Sequence, residues 1–136
     1  MPITTGFNHI ATMTADLDRI VKFYVDAFGA TVTFEMAARE GHPRMTILDL
    51  GGGAALNVFE VRDTDIIGDR RRQGGRGPID HFGLAVDSLK TLEATRDRLR
   101  ELGADIGEIQ RLGSEWSLFF RDPDGMELEV CCHAGQ

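Results

Sequence analysis

Between Leu17 and Phe28 the apolar residues Leu17, Ile20, Val21, Tyr24 and Phe28 recur at spacings of three and four, which predicts an amphipathic helix. Leu89, Leu92, Leu99 and Leu102 predict a second one. Asp16 and Ser88 are suited to cap the two N-termini through a side-chain oxygen, and Gly29 and Gly103 to close the C-termini in the left-handed conformation. Elsewhere the period changes to two. Short alternating segments near 31–36, 44–50 and 54–61, then near 105–110, 116–121 and 126–132, read as strands. With the strands that open near His9 and at His81, each half reads β-α-β-β-β, and the expectation is eight strands and two helices.

The two halves are copies of one unit. FNHIATMTADLDRIVKFYVDAFGA (7–30) aligns with IDHFGLAVDSLKTLEATRDRLRELGA (79–104), so that His9 falls on His81 at an offset of 72 residues. Gly29 falls on Gly103 at an offset of 74, so the second helix carries two extra residues, and Gly53 on Gly125 restores the offset of 72. The modules span about 5–61 and 79–133, and RDTDIIGDRRRQGGRGP (62–78) reads as a linker by its Arg, Asp and Gly content. One helix covers only one face of a small sheet, so pairing of the two modules completes a single domain over 1–136, of α+β class, with a cupped mixed sheet.

Composition narrows the partners. Lys and Arg total 15 against 22 Asp and Glu, a net charge of -7, which lacks the electrostatic footprint of a nucleic-acid binder and favours a small molecule. Apolar runs fall short of the roughly 20 residues of a membrane span, and the opening MPITTGFNHI has no basic and apolar leader pattern, so the expectation is a cytoplasmic protein. Cys131 and Cys132 are adjacent, too close for ordinary disulfide geometry, and on a strand would face opposite sides.

Alternation also assigns faces. Phe82, Leu84 and Val86 belong under the helix, which turns His81, Gly83 and Ala85 to the other face; Leu128 and Val130 likewise leave Glu127, Glu129 and Cys131 there. His9 occupies the repeat position of His81. Two imidazoles and a carboxylate, His9, His81 and Glu129, form a ligand set for Fe, Mn, Zn or Ni with coordination positions left open.

DHFGLAV, the amphipathic helix, LGA and FFRDPDGMELEV together resemble the vicinal oxygen chelate superfamily, which includes glyoxalase I, bleomycin-resistance proteins, fosfomycin-resistance enzymes and extradiol dioxygenases. The resemblance covers essentially the whole chain and implies paired βαβββ modules, usually in a homodimer. It matches His9, His81 and Glu129 to the ligands of the first, fifth and last strands. A fourth ligand, Glu or Gln in the first half of many members, is Asn57 here, since 57 and 129 are also 72 apart. That leaves no strong base at this point and suits Asn57 to a substrate hydroxyl or a coordinated water, with Phe59 on the same face as a wall of the substrate site.

Other departures touch particular subfamilies. Ala11 stands where the fosfomycin-resistance group carries Thr, and Tyr24, the only tyrosine, belongs to a helix, unlike an extradiol dioxygenase site. The expected function is a divalent-metal-dependent enzyme that chelates vicinal oxygens of a small metabolite, with isomerase or lyase chemistry and Glu129 moving the proton. The alternatives are an Fe(II)-dependent dioxygenase and a non-catalytic drug-binding protein. Arg70, Arg71, Arg72 and Arg76 read as solvated linker before an anion clamp, Glu127 as strand-end surface, and His42 and His133 as loop and tail outside the site.

Overall fold

A computed structural model describes residues 1–70 and 77–135. The chain divides into two compact units, Met1–Ile67 and Gly68–Gln136, with the boundary inside the expected linker. Arg71, Arg72 and Arg76 lie outside the described residues.

The first unit runs β1 (His9–Thr14), α1 (Leu17–Phe28), β2 (Thr31–Met36), β3 (Met45–Gly51) and β4 (Ala54–Glu60), followed by a 3-10 turn at Asp63–Asp65. Its sheet has the order β1-β4-β3-β2. β1 and β4 pair in parallel, His9 opposite Ala55 and Ala11 opposite Asn57, while the other two pairings are antiparallel. The second unit runs β5 (Phe82–Ala85), α2 (Leu89–Glu101), β6 (Asp105–Ile106), β7 (Gln110–Leu112), β8 (Glu115–Arg121) and β9 (Glu127–His133). Its order is β5-β9-β8-β6, with β7 also on β8. Each sheet therefore repeats one mixed pattern in which the first strand of the module lies parallel to its last, and the α+β class and βαβββ modules follow as expected.

The count differs from expectation by one strand. Instead of one segment over 105–110, two short strands leave β8 between them unpaired around Gly107, whose backbone N–H still donates to the Phe119 carbonyl at 2.9 Å. In α1 the buried set is Leu17, Ile20, Phe23, Tyr24 and Ala27. Val21 and Phe28, expected in the core, are half-buried instead. Both flanks of the Leu17–Ile20–Tyr24 stripe are apolar, so periodicity locates the centre of the face and the contact with β3 and β4 decides its edges. In α2 only Leu92 and Leu99 are buried, and Leu102 is exposed beyond the last helical turn.

The caps form as the sequence predicts. Asp16 accepts from the Arg19 N–H and Ser88 from the Thr91 N–H, both at 3.1 Å. Gly29 has φ 66° and Gly103 φ 73°, left-handed values that a side chain would resist. Beneath the helices lie Leu48, Leu56 and Val58 in the first unit and Leu118, Phe120, Leu128 and Val130 in the second, all nearly or fully buried. Among the described residues no helix is long and apolar enough to cross a membrane.

Candidate metal centre

In each unit the candidate residues lie on the sheet face turned away from the helix. On the second unit, Glu129 lies opposite Gly83 on one side and Phe119 on the other, and Ser117 is opposite Cys131. His81 is the residue just before β5, rather than its first residue, and its ring reaches this face. Its Nε2 is 3.2 Å from Glu129 Oε1, and its Nδ1 is 2.8 Å from Asp80 Oδ2. The Phe119 ring meets the imidazole edge-on, with centroids 5.2 Å apart and planes at 76°. Ser117, fully buried, donates its hydroxyl to Glu129 Oε2 in a short hydrogen bond. His81 and Glu129 are thus brought together, each with its far atom engaged by a neighbour.

The electrostatics follow from those partners. The Asp80 carboxylate first, and Glu129 after it, hold the His81 imidazolium above its ordinary value against the opposing effect of burial. Burial, then Glu129 and Glu115, push the Cys131 thiol up, and burial does the same for Cys132, so both remain protonated thiols. They do face opposite ways: Cys132 is buried under the helix, and Cys131 is half-buried on the Glu129 face.

On the first unit, His9 is exposed at the start of β1, its Nδ1 2.8 Å from Asn8 Oδ1. Asn57 is half-buried on the same face, and its Oδ1 is buried without any hydrogen-bond partner among the described residues. Such an acceptor costs about 1–3 kcal/mol unless something supplies a donor. Phe59 lies two residues along β4 and packs at 5.9 Å against the ring of His42. His42, expected in a loop outside the site, lies in the loop between β2 and β3, where no periodicity marks its contact with Phe59. His133, expected in the tail, ends β9 instead and pairs with Glu115 at 3.3 Å.

Two of the three expected ligands, His81 and Glu129, therefore share one unit, and His9 belongs to the other. Among the described residues no group of three or more His, Cys, Asp or Glu side chains stands close enough together to hold a metal. What the structure does contain is the His81 Nε2–Glu129 Oε1 pair, hydrogen-bonded at 3.2 Å. A ring nitrogen and a carboxylate oxygen at this spacing suit a borderline divalent cation such as Zn(II).

Residues 6–130 match the Glyoxalase/Bleomycin resistance protein/Dioxygenase superfamily. The chain belongs to this superfamily. Its relatives include metallothiol transferase FosB of Shouchella clausii, 31% identical over 136 residues, which cover 98% of this chain and 82% of that protein. A chloroplastic protein of Arabidopsis thaliana named as a probable lactoylglutathione lyase is 28% identical over 123 residues, 90% of this chain but 34% of its own length. The chain thus spans about a third of that relative. A glyoxylase/bleomycin resistance protein/dioxygenase domain from Frankia sp. EAN1pec has the same fold, with a TM-score of 0.78, 26% identity and coverage of 96% of this chain and 98% of that one.

Proposed function

We propose that this superfamily member is a divalent-metal-dependent enzyme of glyoxalase type, which takes a small metabolite through two neighbouring oxygens and carries out isomerase or lyase chemistry. His9, His81 and Glu129 are its ligands, and the metal is Fe, Mn, Zn or Ni. The observation that carries this reading is the His81–Glu129 pair, whose Nε2 and Oε1 stand 3.2 Å apart with Nδ1 and Oε2 already committed to Asp80 and Ser117. The names of two relatives, a metallothiol transferase and a lyase, agree with metal-assisted chemistry on a small substrate.

When bound, the metal supplies Lewis acidity to a substrate oxygen. The chain supplies the rest. Glu129 is the catalytic carboxylate that takes a proton from substrate, and Ser117 orients it by holding Oε2. Asn57 Oδ1 accepts from a substrate hydroxyl and so gains the donor it lacks, and Phe59 walls the apolar side. The reading includes a cytoplasmic homodimer, the assembly the family resemblance implies.

Zn(II) titration by calorimetry, on protein freed of metal by chelator, tests it. Wild type is expected to bind one equivalent per chain, and His81→Ala or Glu129→Ala to lose binding by more than about 100-fold, beyond the 10- to 100-fold typical of an outer partner. Unchanged affinity in both variants overturns the ligand assignment. Oxygen uptake after anaerobic loading with Fe(II) would move the reaction to the dioxygenase class.

A further inference from the structure

The two histidines share a feature that the ligand pattern does not require. In both modules the residue immediately before the histidine folds its side chain onto Nδ1: Asp80 Oδ2 at 2.8 Å from His81, and Asn8 Oδ1 at 2.8 Å from His9. The two dipeptides are 72 residues apart, the offset of the repeat. Neighbours within a strand point to opposite faces and cannot make such a contact. Here they can, because His81 precedes β5, and Asn8 precedes β1 while its carbonyl accepts from the Ala55 N–H at 3.0 Å. The contact therefore depends on the histidine lying at the strand's edge, not within it.

We propose that Asp80 and Asn8 are positioning residues that fix the tautomer and ring direction of the histidine following each, so that both imidazoles keep their hydrogen on Nδ1 and turn Nε2 the other way. The proposal rests on the triad reading above and names the groups that prepare its two nitrogen ligands. A carboxylate is an acceptor only, as is an amide oxygen, so in both pairs Nδ1 is the donor and carries the hydrogen. His81 Nε2 also faces a carboxylate, Glu129 Oε1 at 3.2 Å, so in a neutral ring the nearer Asp80, at 2.8 Å, competes with Glu129 for the one hydrogen and holds it on Nδ1. The two partners differ in charge. Asp80 orients and also strengthens the donor ability of His81, whereas Asn8 orients alone. Ser117 does the corresponding work for Glu129, by holding Oε2 and turning Oε1 to His81.

Long-range proton–nitrogen NMR of the metal-free full chain, at a pH above the titration of both rings, reads the tautomers directly. In wild type both His9 and His81 are expected as Nδ1–H. Asp80→Ala is expected to move His81 toward Nε2–H, Asp80→Asn to keep Nδ1–H because the acceptor oxygen remains, and Asn8→Ala to move His9 alone. Zn(II) affinity should fall 10- to 100-fold in Asp80→Ala and less in Asn8→Ala. His81 remaining Nδ1–H in Asp80→Ala, or Zn(II) affinity unchanged there, overturns the proposal. The two readings fail separately. Absence of Zn(II) binding in wild type removes the proposed function, and the tautomers of the metal-free chain still decide the role of Asp80 and Asn8.

Discussion

The two modules repeat one backbone pattern and differ at the position of Glu129 and Asn57. In the second, Glu129 accepts from the buried Ser117 hydroxyl and meets His81 Nε2. In the first, 72 residues earlier, the corresponding residues are Asn57 and Met45. Met45 is as well buried as its role requires, 8% exposed, but a thioether donates nothing, and Asn57 Oδ1 is left without a partner. Acid and donor were thus exchanged together. One copy holds a hydrogen-bonded carboxylate, and the other a buried amide oxygen without a partner among the described residues.

The helices differ in the opposite sense, since the module with the supported carboxylate has the more weakly anchored helix, and this gives the largest effect expected. α1 is anchored by five buried residues, α2 by Leu92 and Leu99 alone. Leu99→Ala is expected to cost about 3 kcal/mol, within the usual range for a buried leucine, and to release α2 amides to hydrogen exchange well before those of α1. Urea unfolding with exchange read by mass spectrometry checks both. If the two helices exchange together in the variant, the second module is not the more weakly anchored one.

A smaller effect tests whether donor and acid belong together. Asn57→Glu alone puts a carboxylate beside Met45 with no hydroxyl to meet it, and should destabilise by about 2 kcal/mol. With Met45→Ser already in place, the same change should cost about 1.5 kcal/mol less, the worth of a hydrogen bond to a charged group. The double-mutant cycle is read from denaturant midpoints of the metal-free protein. Equal costs in the two backgrounds would mean that the Ser117–Glu129 arrangement depends on more than this pair of positions.

Much of this was legible in the residues because it depends on local rules. Asp16 and Ser88 cap, and Gly29 and Gly103 close, because these side chains and this freedom of φ suit helix ends whatever packs around them. The DPDG turn is equally local. Asp122 Oδ1 accepts from the N–H groups of Asp124 and Met126, at 2.9 and 3.0 Å, and Gly125 takes φ 83°. In its counterpart Asp49 Oδ1 accepts from the Gly51 N–H at 2.8 Å, and Gly51, Gly52 and Gly53 all adopt positive φ. By contrast, nothing local distinguished Phe23 and Ala27 from Val21 and Phe28, since the outcome depends on where the sheet touches a helix that is apolar on both flanks. The face of Glu129 followed from period two, but its partner Ser117 did not. A serine in the run Trp116–Phe120 reads as one more strand position until the diagonal across β8 and β9 brings it to the carboxylate. The two Nδ1 contacts were hidden for a related reason, because strand alternation forbids them and only the ends of the strands permit them.

The smallest effect concerns how the modules start their helices. α1 receives two carboxylates: Asp16 at its cap, and Glu60, whose Oε2 accepts from the Leu17 N–H at 2.9 Å. α2 has no acidic residue in its first turn, and Ser88 caps it with a neutral oxygen. Its negative charge comes from just outside, where Asp87 Oδ1 accepts from the Thr91 hydroxyl at 2.7 Å. The Thr91 hydroxyl first, and Ser88 with it, hold the Asp87 carboxyl below its ordinary value. A carboxylate whose ionisation is favoured in the folded state contributes stability above the unfolded value, about 3.9, and loses that contribution as pH falls through the lowered one. Asp87→Asn should therefore lower the melting temperature of metal-free protein at neutral pH by less than either substitution above. The gap between the two proteins should close as the solution is acidified through that range. Asp87 is solvent-exposed, so added salt should narrow the gap at neutral pH as well. A gap that persists unchanged in acid would mean that the difference does not come from the Asp87 charge, and that α2, unlike α1, begins without help from charge.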